Sequence, residues 1–189
     1  MQRLGEDGVL CVWPAGNDGV NVDDAGGFIF PIVLPAPLKL TVGGTNRDDA
    51  LESSNFGISS VDVGPDVAAP GVDILSTVPT PFDFVRGYEN RDKFGNQYFA
   101  SYTGTAQAAA NVAGVAALCL DALKKACSAN GALADSRGGA VVHRCITSGV
   151  DRVEGLASST RTGGRVNARK AVACCRNACI FSDLTQSSW

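Results

Sequence analysis

Short apolar runs alternate with polar stretches marked by glycine and proline until about residue 104, a pattern of brief strands joined by loops. Residues 8–13, GVLCVW, are nearly continuous in β-formers and predict a strand buried on both faces. From Gly16 to Gly27 the chain has loop chemistry. Pro31, Pro35 and Pro37 bar a helix before the next run, Leu38 to Thr45 (LKLTVGGT), which predicts a second strand. Residues 47–60 predict a turn and a short exposed strand. Residues 61–78, VDVGPDVAAPGVDILSTV, predict two more strands parted by Pro70-Gly71, residues 80–96 a polar surface excursion, and Gln97 to Tyr102 a last strand.

A helix is predicted from Gly104 to Cys127. Its first three turns carry Ala, Val and Gly on every face, which predicts a helix enclosed by protein, emerging into water at Asp121, Lys124 and Lys125. A second helix fits 139–148, where Val141/Cys145 and Val142/Ile146 recur at four-residue spacing, and a third fits Asn167 to about Cys175. Short strands alternating with a buried helix and surface helices predict an α/β fold with a mostly parallel sheet.

At 189 residues, with no internal repeat and no linker, the chain is expected to be one domain. The 45% hydrophobic and 19% charged content supports a packed core and excludes disorder, collagen and coiled coil. No membrane span is expected, because the run Val112 to Leu120 is too short and Phe28 to Leu38 is broken by proline. The opening MQRLGEDGVL places charge where a signal peptide needs apolar residues, so either the protein is not exported or its true N-terminus lies upstream.

A net charge of −3 and a pI near 5.1 argue against a nucleic-acid partner. The basic residues Arg161, Arg165, Arg169, Lys170 and Arg176 read as a solvated helix face. Seven cysteines leave at least one without an intrachain partner. Cys174, Cys175 and Cys179 lack zinc spacing, so they read as plain thiols or disulfide sulfurs.

Three segments in order resemble the subtilisin-like serine proteases, the subtilases. Val12-Trp13-Pro14-Ala15-Gly16-Asn17-Asp18-Gly19 is similar to the family's strand ending in Ala-Gly-Asn. Ser54-Asn55-Phe56-Gly57 is followed by Ala69-Pro70-Gly71-Val72-Asp73-Ile74-Leu75-Ser76-Thr77. Thr103-Gly104-Thr105-Ala106-Gln107-Ala108-Ala109-Ala110-Asn111-Val112-Ala113-Gly114 resembles the nucleophile segment, Ser-Gly-Thr-Ser-Met-Ala-x-Pro-His-Val-Ala-Gly. Gly164-Arg165-Val166-Asn167-Ala168 resembles the family's closing helix.

The resemblance implies the later half of a three-layer α/β/α sandwich, descent from a peptide-bond hydrolase, and an extracellular or secretory-pathway setting. It implies an oxyanion donor at Asn17, which taken alone is a turn residue. It also implies binding of a peptide or protein substrate at Ala15, Gly16, Gly104 and Thr105. Ala106 stands where the family has its catalytic serine, and a methyl group cannot attack a carbonyl. The only histidine, His143, follows the nucleophile segment and has no family counterpart. The family's Asp and His motifs lie farther upstream than the sixteen residues before Asn17 allow.

An inactive subtilase homologue is therefore expected. The alternatives are part of a longer or split enzyme whose upstream half supplies Asp, His and the cleft, and a non-enzymatic interaction module. No cofactor is expected. Asn17, Asp18, Asn21, Asp23, Asp24 and the Asp48-Asp49 pair read as solvated acidic loops, with calcium, which many subtilases bind, as the alternative.

Overall fold

The computed structural model describes residues 2–24, 36–58, 64–78, 99–127 and 137–184, with side chains in the last stretch as far as 178. Chain order is α1 (Gln2–Glu6), β1 (Cys11–Pro14), β2 (Lys39–Thr45), β3 (Val67–Pro70), β4 (Ile74–Thr77), β5 (Phe99–Tyr102), α2 (Thr105–Cys127), α3 (Gly138–Ser148), β6 (Asp151–Arg152), a 3₁₀ turn at Glu154–Leu156, β7 (Gly164–Arg165) and α4 (Ala168–Leu184). The main sheet has the order β1-β2-β3-β7-β6. Its first three pairings are parallel, with Trp13 opposite Thr41, Gly43 opposite Ala68 and Ala68 opposite Arg165. The last, β6 with β7, is antiparallel. β4 and β5 form a separate antiparallel ribbon with Leu75 opposite Ser101.

β2 is buried along its whole length. Alternation sends Leu40 and Val42 to the helical side, where they join Val67 and Ala69 of β3, Val112, Cys119 and Leu123 of α2, Val142 and Ile146 of α3, and Ala171 and Cys175 of α4. Gly43, on the other side, receives Leu51, Ser54 and Pro65. Leu40, Leu123 and Ile146 are the largest of these fully buried aliphatic side chains, each worth about 1.5–3 kcal/mol of burial.

Several expectations change. The first strand is Cys11–Pro14 and is half-buried, because it has one neighbour among the described residues and ends the sheet. The short exposed strand expected in 47–60 is replaced by single bridges, Thr45 with Leu51 and Asn21 with Phe56, with residues 59–60 outside the described residues. The excursion at 80–96 also lies outside them.

α2 is not enclosed all round. Ala106, Ala110, Ala113, Gly114, Ala117 and Leu118 are exposed, while Ala108, Val112, Ala116, Cys119 and Leu123 are buried against the sheet and α4. By length and composition α2 could cross a membrane, which the nine-residue run understated, but here it serves as the helix on which β1, β2, β3, α3 and α4 all pack. α4 extends well past Cys175 to Leu184 and begins under a cap, the Lys170 N–H donating to Asn167 Oδ1 at 3.0 Å.

The basic residues do not share one helix face. Arg161 pairs with the buried Asp66, Arg165 with Asp49 at 2.5 Å, and Lys170 with Asp151 at 2.7 Å. Cys145 and Cys174 form a disulfide joining α3 to α4, whereas Cys11, Cys119 and Cys175 are free thiols.

Candidate functional site

The parallel strands β1, β2 and β3 end on the same side, and there the chain turns at Gly16, Asn46 and Gly71 while α2 begins. In parallel α/β sheets this carboxyl edge is where ligands meet loops and helix N-termini.

Leaving β1, the chain turns at Gly16 with φ +99°, a left-handed conformation suited to glycine, and a Cβ there would collide with the Asn55 amide. Asn55 is completely buried. Its Nδ2 donates to Ala15 O at 3.0 Å and Asp18 Oδ2 at 3.2 Å, while its Oδ1 accepts from the N–H groups of Asp18 and Val20 at 3.0 and 3.2 Å. Ser54 fastens this clamp to the sheet, its Oγ accepting from Gly44 N–H and donating to Asn55 O.

Asn17 follows, exposed to solvent. Its Oδ1 accepts from the Thr105 N–H at 2.8 Å and from the Thr105 hydroxyl at 2.9 Å, and the same hydroxyl accepts from the Gly16 N–H at 3.1 Å. With the oxygen taken by two donors, Nδ2 is the end of the amide left over, and it makes no hydrogen bond among the described residues. Gly104 approaches closely: a Cβ there would stand 3.2 Å from Asn17 Nδ2 and 3.1 Å from Gln107 Oε1. Ala106, the second residue of α2, is exposed beside Thr105.

The start of α2 is tied back to the β3–β4 turn. Thr103 Oγ1 accepts from Asp73 N–H at 3.0 Å, Gly104 N–H donates to Gly71 O at 2.8 Å, and Asn111 Nδ2 donates to Pro70 O at 2.8 Å. Thr103 and Asn111, which stand apart from the family pattern in sequence, therefore hold the helix in place.

Ala15, Gly16, Asn17, Gly104, Thr105 and Ala106 thus come together. His143 does not. Its Nε2 meets Lys39 O at 3.1 Å, at the opposite end of β2 from Gly44, which faces Thr105. Five residue steps along the strand separate those ends, roughly 16 Å. There His143 lines a cavity of about 380 Å³ with Pro37, Lys39, Asp66 and Arg161.

The carboxylates of the acidic loop turn to local donors: Asp18 to Asn55, Asp24 to Asn21 at 2.8 Å, and Asp23 to the Ile58 N–H at 2.9 Å. Among the described residues no three His, Cys, Asp or Glu side chains gather as a metal site. The clamp at Asn55 escapes sequence reasoning, because a buried asparagine and a turn asparagine look alike until the fold brings Ala15, Asp18 and Val20 around it.

A model of the subtilase family matches residues 1–143. The chain belongs to the subtilase family. Solved structures agree in fold with this subtilase chain. A lanthipeptide protease superposes with a TM-score of 0.66 at 20% identity, covering 90% of this chain and 52% of that one. A serine-to-alanine mutant of the protease domain of PatA gives 0.61 at 25%, covering 93% and 51%. Fervidolysin from Fervidobacterium pennivorans, a keratinolytic enzyme related to subtilisin, gives 0.58 at 25%, covering 89% and 23%. The subtilase chain spans about half the length of the first of the solved structures it matches. No curated protein matches it in sequence.

Proposed function

We propose that this chain is a subtilase scaffold without peptidase activity of its own, keeping the oxyanion donor at Asn17 and a vacant nucleophile position at Ala106. One observation carries the reading: Asn17 is bonded through Oδ1 to Thr105, the residue before Ala106, with its Nδ2 beside Gly104, while the chain's one imidazole lies at the far end of β2. A donor can stabilise an oxyanion only after a nucleophile has attacked, and that step needs a hydroxyl and a base in hydrogen-bond reach. By family resemblance Ala15, Gly16, Gly104 and Thr105 would border a bound peptide, although their N–H groups are engaged within the chain, by Val42 O, Thr105 Oγ1, Gly71 O and Asn17 Oδ1. Serine-directed fluorophosphonate should leave the chain unlabelled. Stoichiometric labelling, or casein hydrolysis that survives repurification, overturns the reading.

A second reading has an observation of its own. β1 ends the sheet, α2 exposes Ala113, Gly114, Ala117 and Leu118, and an apolar groove lined by Val9, Leu10, Val12, Ala113, Ala117 and Leu120 lies between them. This is the surface that a further half-domain carrying Asp and His would cover, and the first of the solved structures are about twice as long. Supplying such a half in trans to an Ala106→Ser chain and recovering esterase activity would favour this reading. An interaction module would give binding and no turnover.

The location that suits both readings is the secretory pathway or beyond, where the Cys145–Cys174 disulfide is stable.

A further inference from the structure

α4 lies against both α2 and α3 and offers each of them a sulfur. Cys174 is bonded to Cys145 of α3, their Cα atoms 5.5 Å apart. Neighbouring residues on a helix point about 100° apart, so Cys175 turns away from α3. It is completely buried in the same core cluster as Cys119 of α2, which is also completely buried.

We propose that Cys119 and Cys175 are a cross-linking site, a dithiol that closes to a disulfide joining α2 to α4 when the chain folds under oxidising conditions. Geometry sets the timing. Neither sulfur is open to solvent once the helices are docked, and an oxidant cannot reach them there. Contact with the Cys175 thiol, then burial, raises the Cys119 thiol, while the same contact lowers that of Cys175, so it is exclusion of the oxidant and not protonation that protects the docked pair. Closure therefore precedes or accompanies docking of α4.

The chemistry balances with a small disulfide such as glutathione disulfide as oxidant. One cysteine thiolate attacks it and expels one glutathione thiol. The second cysteine then displaces the other. Two S–H bonds are lost and one S–S bond forms, and the two electrons and two protons leave on the two glutathione molecules. The cross-link would hold α2 from the side opposite its exposed wall, and α2 carries Thr105 and Ala106 at its first turn. Cys11, half-buried on β1, remains a free thiol.

The test is disulfide mapping of the full chain after expression into an oxidising compartment: alkylation under denaturing conditions, digestion without reduction, and mass spectrometry of the peptides. The expected result is a peptide joining Cys119 to Cys175, beside the one joining Cys145 to Cys174, with alkylation at Cys11. In chain folded under reductant, Cys119 and Cys175 should be alkylated at least tenfold more slowly than Cys11 before denaturation. Recovery of both Cys119 and Cys175 alkylated from the oxidised chain, or of either bonded to another cysteine, overturns the proposal. These outcomes do not depend on whether the chain hydrolyses peptides, so the two readings fail separately.

Discussion

Asn17 and Thr105 are joined twice, the asparagine's amide oxygen accepting both the backbone N–H and the hydroxyl of the threonine at 2.8 and 2.9 Å. Eighty-eight residues separate them, so this junction exists only in the folded chain and reports on it. It sets which end of the amide is left without a bond among the described residues, and neither of its donors belongs to residue 106.

Thr105→Val tests the junction. The shape is kept, but Asn17 loses one donor and the Gly16 N–H loses its acceptor. We predict a loss of about 1–2 kcal/mol in denaturant unfolding and faster amide exchange at Gly16 than in the parent. Unchanged exchange at Gly16 would mean that the hydroxyl bond is absent in solution.

Asn55→Leu should be worse. Two backbone N–H groups, at Asp18 and Val20, lose their acceptor beside a completely buried side chain. The expected cost is about 3 kcal/mol, with protection lost selectively across residues 15–20. A uniform loss of protection over the whole chain would contradict the clamp role.

Ala106→Ser alone should stay silent. In subtilisin, losing the serine or the histidine alone costs about as much as losing the whole triad, roughly 10⁶-fold in kcat. The restored hydroxyl would have no base, and an oxyanion donor, worth about 10²–10³-fold, acts only after attack. Ester hydrolysis by Ala106→Ser that disappears on His143→Ala would refute the placement of His143 at the far end of β2.

Acid should expose the ion cluster at the end of the sheet. Lys170, then Asn167, hold the Asp151 carboxyl below its ordinary value, with Arg165 adding to the effect. A carboxyl lowered on folding contributes stability that is complete above its unfolded value, about 3.9, and is lost as pH falls through the folded value. The Tm gap between the parent and Asp151→Asn should therefore be constant from pH 7 to about 5 and close as pH falls below about 4. A gap that persists at about pH 2 would rule the pair out as its source.

Much of this was legible before the fold was known, for reasons that particular residues show. β2 announces itself because LKLTVGG holds no carboxylate and lies in the sheet interior. α2 does so by length, and Thr103 to Gly114 by its likeness to a known segment. The edge position of β1 was not legible, since sheet order is set by pairing across the chain and leaves no period in GVLCVW. Nor was the exposed wall of α2: an amphipathic stripe is read from contrast, and alanine and glycine supply none. The Arg161–Asp66 pair spans ninety-five residues and joins a helix-free segment to the head of β3, which no local pattern encodes.

Along the wall that α2 presents to water, Ala106, Ala110, Ala113, Gly114 and Ala117 reach no farther than a methyl group, and Leu118 stands at its edge. Such a surface costs little to leave wet and offers little adhesion in return, because the hydrophobic effect scales with apolar area. What it offers is nearness: a second backbone can lie at the short end of the 8–10 Å range between packed helices. Whatever meets this wall will be chosen by contour, and one bulky side chain at the wrong height is enough to refuse it.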